Sequence, residues 1–351
     1  MAEEHPDIVR ALRLQAGACA NMGSPLSAAL LGRAAEDWLA GGPARALLAP
    51  WADQGLKPLF EAAVPLRLLA AWRELALCGA DPAVAAAYAR LDAEAIWAAV
   101  LPAMTTHCDR LAAFMTHEPQ TNEVRRSIAL LGGFLEVAAA TGLPLRVFEV
   151  AASAGLNLSW DRYRYGLAGG VWGDADAKVR IDTDWSGPAP PLDAPVRVIE
   201  RAACDRRPTD LADPDQRRRL MAYIWADQPE RLARIEAAID VAVAGGVQVE
   251  AADALDWVRA RVRPQAAAAT VLYHSVFWTY MSPAQQAALT AAIEGLGAQA
   301  TADAPFAWLR MEPKPNDIST MDVRLTVWPG GQEQLLGESH PHAAWVRWAG
   351  G

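Results

Sequence analysis

From the start of the chain to about residue 140, apolar residues recur at helical spacing. Leu66, Leu69 and Trp72 share one face of residues 65–76, and Ile128, Leu131, Leu135 and Ala138 repeat at i, i+3, i+7 and i+10. This is the stripe that an amphipathic helix turns toward a core. Turns such as Gly41-Gly42-Pro43 and Gly79-Ala80-Asp81-Pro82 separate these stretches. No run alternates as a half-buried strand would. The pattern predicts an all-helical N-terminal domain over residues 1–140.

After Pro144 the period changes. Short apolar runs of strand length occupy residues 145–151, 196–200, 247–251, 270–277 and 306–311. Capped helices lie between several of them. Asp213-Pro214-Asp215-Gln216 places an N-cap, a proline at the first helical position and a Gln at the third, and Ser282-Pro283-Ala284-Gln285 repeats the device. Strands alternating with helices predict a mostly parallel sheet covered on both faces. At the end, residues 323–328 alternate, Pro329-Gly330-Gly331 turns, and residues 344–348 return. The expected fold is α/β: a Rossmann-like, mostly parallel sheet over residues 141–351, closed by an antiparallel C-terminal edge pair.

Composition narrows the function. A chain of 351 residues that is 52% hydrophobic and 21% charged is large enough for about two domains and too apolar for disorder. The net charge of −9 gives no electrostatic footprint for nucleic acid. The one basic run, Arg217-Arg218-Arg219, follows an acidic cap and reads as a solvated helix face. The best membrane candidate, residues 127–145, is interrupted by Glu136, a glycine pair, Gly142 and Pro144, and reads as a core helix and a turn. The acidic first residues carry no apolar leader pattern. The four cysteines show no metal or redox spacing, and His340 and His342 at i, i+2 lack near partners for a metal. The expectation is a reduced, cytoplasmic protein acting on a small molecule, with no metal, membrane or nucleic-acid partner.

The segment richest in chemistry is Phe148-Glu149-Val150-Ala151-Ala152-Ser153-Ala154-Gly155-Leu156-Asn157. A strand ends, small residues follow and a helix begins, a junction that lets backbone approach a ligand. Three readings fit it. One is a tight turn with small residues for packing only. The second is an S-adenosylmethionine loop similar to that of class I methyltransferases, with Glu149 followed by small residues at 151, 153 and 155. The third is a nucleophile elbow of A-x-S-x-G type at Ser153, with the Ala154 N–H in the oxyanion hole. Position favours the second, because an elbow follows several earlier strands and this loop follows the first. Asp205, after the next strand, is the candidate ribose acceptor, given an insertion that contains Gly169-Gly170. Asp253, after the third, is the candidate acceptor for an adenine amino group. Each is equally at home as a helix cap. His274, at the end of a strongly apolar strand beside Ser275 and before Phe277 and Trp278, is the candidate general base, with a buried core histidine as the alternative.

Further motifs carry a family resemblance. Gln120-Thr121-Asn122-Glu123-Val124-x-Arg126-Ser127, Ser153-Ala154-Gly155-Leu156-Asn157-Leu158 with Asp161-Arg162-Tyr163-x-Tyr165, His274-Ser275, Trp308-Leu309-Arg310-x-Glu312 and Trp328-Pro329-Gly330-Gly331 resemble the bacterial domain of unknown function 2332. The resemblance spans residues 14–348 and implies kinship without an activity. Thr121 or Asn122 would cap the following helix, with Glu123 in its first turn. Gln120, Asn122, Glu123, Arg126, Asp161, Arg162, Tyr165 and Trp278 are the expected substrate-binding residues, in a cleft between the domains. Glu149, Ala151, Ser153, Gly155, Asn157, Asp205 and Asp253 are the expected cofactor residues, and His274 the catalytic one. The leading expectation is an S-adenosylmethionine-dependent, methyltransferase-like protein. A serine hydrolase and a non-catalytic ligand-binding protein are the alternatives.

Overall fold

In the computed structural model, residues 6–120, 122–315 and 317–350 are described, and the chain falls into two packed units. The first comprises Met1–Thr121 and Asp213–Ala233. It is helical, with long helices at Asp7–Asn21, Pro25–Leu39, Val64–Leu77 and Ala93–Thr106. Val64–Leu77 is buried almost all round, including Arg67, Arg73 and Glu74. Its Glu74 meets Arg110 (2.7 Å) and Arg218 (3.2 Å). Burial pushes this carboxyl up, but hydrogen bonds from the two guanidiniums outweigh it and hold the group below its ordinary value. The segment 213–233 completes this unit. Asp227 accepts from the Ser24 hydroxyl (2.6 Å) and the Leu26 N–H (3.0 Å), and Ala222 joins the helical core.

The second unit comprises Asn122–Ala212 and Arg234–Gly351. The helix Ser127–Thr141 packs there, because its glycine pair lets it approach the sheet. A Cβ on Gly132 would stand 2.3 Å from the Trp348 ring, and one on Gly133 2.3 Å from Leu309. The interruption noted in the sequence is a contact surface.

The strands are β1 (Leu145–Val150), β2 (Arg164–Leu167), β3 (Gly170–Trp172), β4 (Arg180–Asp182), β5 (Asp184–Ser186) and β6 (Val198–Asp205). They continue with β7 (Glu250–Ala251), β8 (Ala269–Ser275), β9 (Phe306–Lys314), β10 (Asp317–Trp328), β11 (Gln332–Ser339) and β12 (Trp345–Trp348). Nine form one sheet in the order β5-β12-β11-β10-β9-β8-β1-β6-β7, and β3-β2-β4 form a small separate one. β7, β6, β1, β8 and β9 run parallel. Numbered along the chain, these five stand in the order 3-2-1-4-5, so the winding reverses between β1 and β8. Phe148 and Val150 of β1 pack with Trp257, Leu272, Leu289 and Ile293 on one face.

The mostly parallel Rossmann-like sheet follows the sequence pattern. Its antiparallel edge differs in detail. β10 pairs with β9 and β11, and β12 lies beyond β11. The strand between them, Gln332–Ser339, begins with four exposed residues and gives no alternating apolar signal. The insertion after β1 supplies the small sheet and the edge strand β5. Among the described residues, no helix is long and apolar enough to cross a membrane.

Candidate functional site

In open α/β sheets the ligand crevice lies at the carboxyl ends of the strands where the winding reverses. Here that point falls between the turn after β1 and the loop after β8. The turn has left-handed backbone at every second residue: Ala151 (φ 57°), Ser153 (φ 54°) and Gly155 (φ 70°). For residues with a Cβ this conformation costs about 1–2 kcal/mol each, so neighbours must hold it. They do. The Ser153 N–H donates to Asp205 Oδ2 (2.8 Å) and the Ala154 N–H to Asn122 Oδ1 (3.0 Å). The Ala152 N–H donates to the Cys204 carbonyl (3.1 Å), and the Ser153 carbonyl accepts from the Thr209 N–H (3.1 Å). Asn157 reaches the Glu123 carbonyl (3.4 Å). Asn122 Nδ2 and Asn157 Oδ1, on either side of the turn, are buried atoms without a hydrogen-bond partner.

Glu149 lies beneath this turn. It is 3% exposed and accepts a hydrogen bond from the Tyr273 hydroxyl (3.1 Å). Tyr273 packs edge-on against Phe134 of the covering helix. Burial pushes the Glu149 carboxyl up to about 8, and the nearby Asp205 adds to the shift. At neutral pH it is a protonated, uncharged acid.

Asp205 is half-buried and also accepts from the Arg207 N–H (2.8 Å). Asp253 is exposed and caps the helix Ala254–Arg261, taking the Leu255 N–H on Oδ1 (2.9 Å). The geometry around His274 is closed. The ring is fully buried, Nδ1 lies 2.6 Å from Glu312 Oε1, and the Trp308 Nε1–H donates to Nε2 (3.0 Å). Trp308 can only donate, so Nδ1 carries the proton given to Glu312. This is the arrangement of a hydrogen-bonded core histidine, with neither nitrogen open to a substrate. Sequence reasoning had no role for Glu312 beyond its place in a family motif. Its carboxylate also accepts from the Phe277 and Trp278 N–H groups (3.0 and 3.1 Å) and so fixes the loop after β8. Half-buried Trp278 stacks on His274 at 5.3 Å and 12°.

The remaining candidates separate. Glu123 caps the short helix Val124–Arg126 by accepting from the Arg125 N–H (3.1 Å), and Thr121 lies outside the described residues. Arg126 is buried and donates to the Pro341 carbonyl (2.9 Å). Gln120 lies in the coil ending the first stretch of the helical unit. Asp161 is bound at both oxygens by Arg201 (2.9 and 3.0 Å). Tyr165 is fully buried and donates to the Trp160 carbonyl (2.8 Å), whereas Arg162 is exposed. Asn122 and Asp205 thus bind the turn directly, Asn157 reaches the Glu123 carbonyl, and Asp161 and Tyr165 brace the chain after it.

Two further arrangements bear on chemistry. The Ser153 hydroxyl meets no histidine nitrogen among the described residues, and the Ala154 N–H that an oxyanion hole needs is held by Asn122. His342 Nδ1 stands 3.7 Å from Glu123 Oε2, and its N–H donates to His340 Nδ1 (3.0 Å). Among the described residues, no group of three or more His, Cys, Asp or Glu side chains is placed to hold a metal ion.

Neither the curated proteins nor the solved structures include a significant match to this chain. A family profile described as "Uncharacterized protein conserved in bacteria (DUF2332)" matches residues 9–348. That span takes in the turn, its Asn122 and Asp205 anchors and the Glu312 hub, and the chain belongs to this bacterial family.

Proposed function

We propose that the protein binds an adenosyl-type small molecule at the carboxyl ends of β1, β6, β7 and β8. The observation that carries this reading is that the sheet reverses at a turn whose backbone is left-handed at 151, 153 and 155. Acids follow in the order such a ligand needs. Asp205 stands against the turn where a ribose acid is expected, accepting from the Ser153 and Arg207 N–H groups, and the second oxygen of exposed Asp253 is open to an amino group. Trp278 offers a ring face for stacking.

S-adenosylmethionine is the cofactor that the methyltransferase-like loop implies, and when bound it supplies an activated methyl group. The protein's part in such a transfer is to bind and orient. Asp205, Asp253 and Trp278 fit the nucleoside half of that molecule. Glu149 does not fit the amino-acid half, being sealed under Tyr273. Binding without turnover is a second reading. The closed His274 favours it, because the expected base has no free nitrogen.

Thermal shift and calorimetry with S-adenosylmethionine, S-adenosylhomocysteine and adenosine, with nicotinamide dinucleotide as control, test the proposal. An adenosyl compound at about 100 times its Kd should add roughly 2.7 kcal/mol of stability. Asp253→Asn should weaken that binding while leaving the melting temperature of the free protein nearly unchanged. No response to any adenosyl compound at millimolar concentration would end the proposal.

A further inference from the structure

We infer that the crevice recognises the nucleoside alone, and that its ligand is an adenine nucleoside carrying no amino-acid group. The inference rests on the adenosyl reading above and narrows it. An amino-acid end brings an ammonium, which needs an accessible acid, and a carboxylate, which needs donors. Both needs go unmet at this turn.

The acid at the end of β1 is Glu149, which is 3% exposed and held by Tyr273. A group closed off in this way cannot pair with a ligand ammonium. It is also uncharged at neutral pH, since burial lifts its carboxyl to about 8. The backbone donors are spent as well, and Asn122 Nδ2, though without a partner, is buried. The four successive N–H groups of residues 152–155 go to the Cys204 carbonyl, Asp205, Asn122 and the Ala152 carbonyl (2.7 Å for the last). Loops that cradle anions present such groups to the ligand, and this one turns them all inward. The space beside the third small residue is filled too. A Cβ on Gly155 would stand 2.8 Å from Val249 Cγ2 and 2.9 Å from Val247 Cγ1, so the absent side chain makes room for the chain's own valines.

Calorimetry on the full chain with adenosine, 5′-methylthioadenosine and S-adenosylhomocysteine decides the matter. The inference expects 5′-methylthioadenosine to bind as tightly as S-adenosylhomocysteine, within about threefold, or more tightly. Tighter binding of S-adenosylhomocysteine by more than about threefold overturns the inference and leaves the adenosyl reading standing. Binding of none of the three at millimolar concentration ends both. Glu149→Gln supplies a second arm. The ratio of the two affinities should stay as in the unaltered protein, and a selective loss of S-adenosylhomocysteine would show that Glu149 reads the amino group after all.

Discussion

Glu149 sits where the sequence led us to expect an acid that meets a ligand, and packing has given it another role. Its hydroxyl partner Tyr273, itself packed against Phe134, lies over a hundred residues on in the sequence, so spacing around residue 149 carries no sign of it. A stability signature follows. Below its ordinary value of 4.5 both folded and unfolded chains hold the proton; between there and about 8 only the folded chain does. The unfolded state then binds fewer protons, and this residue's contribution to stability falls as pH rises through that window. At pH 7 the loss is at most about 3 kcal/mol. Glu149→Gln should therefore melt close to the parent at pH 5 and progressively above it toward pH 8. Parallel melting curves across that range would contradict a buried neutral acid. Gly155→Ala tests the other end of the turn. Left-handed backbone and the two valines should together cost about 2 kcal/mol or more, read as a lower denaturation midpoint.

Among the elements, the loop after β8 depends on one carboxylate. Glu312 collects the His274 ring and two backbone N–H groups. Glu312→Gln would set an NH₂ donor against these donors, and we expect a loss of about 1–3 kcal/mol with a shift in tryptophan emission as Trp278 leaves His274. An unchanged spectrum and melting point would remove Glu312 from this role. How legible the elements were follows from their burial. β8, buried on both faces, stands out as an apolar run up to Tyr273, and β1 as one interrupted only by Arg146 and Glu149. β11 escaped because its first four residues are exposed, whereas β7 was expected over residues 247–251 and its regular part is only two residues long. The turn after β1 was legible from its small residues, whereas the anchors Asn122 and Asp205 lie about 30 and 50 residues away and came from separate motifs. His274 was placed correctly at a strand end, but its closure depends on Trp308 and Glu312, which only the register of β8 with β9 brings beside it.

At the scale of the whole chain, the helical unit is discontinuous. Ser24 and Leu26 near its start are tied to Asp227, and the Met22 carbonyl accepts from Gln228 (3.1 Å). Asp227→Ala should cost about 1–3 kcal/mol, since it removes the carboxylate acceptor of the Ser24 hydroxyl and strands the Leu26 N–H. A fragment of residues 1–121 should be markedly less stable than the same fragment fused to residues 213–233, as judged by urea denaturation and dye binding. Equal stability would show the late segment to be dispensable. The interruption also sets an order of events on the ribosome. After Thr121 emerges, residues 122–212 of the sheet unit are synthesised before Asp213–Ala233 arrives. At roughly 5–20 residues per second, that delay is about 5–20 s. Throughout it the nascent helices wait with one wall missing, and β1 and β6 wait for β8 and β9. The helical unit can close once Ala233 has emerged, whereas the sheet unit must wait for the strands that follow it, so the chain's two units are completed one after the other by late-arriving segments.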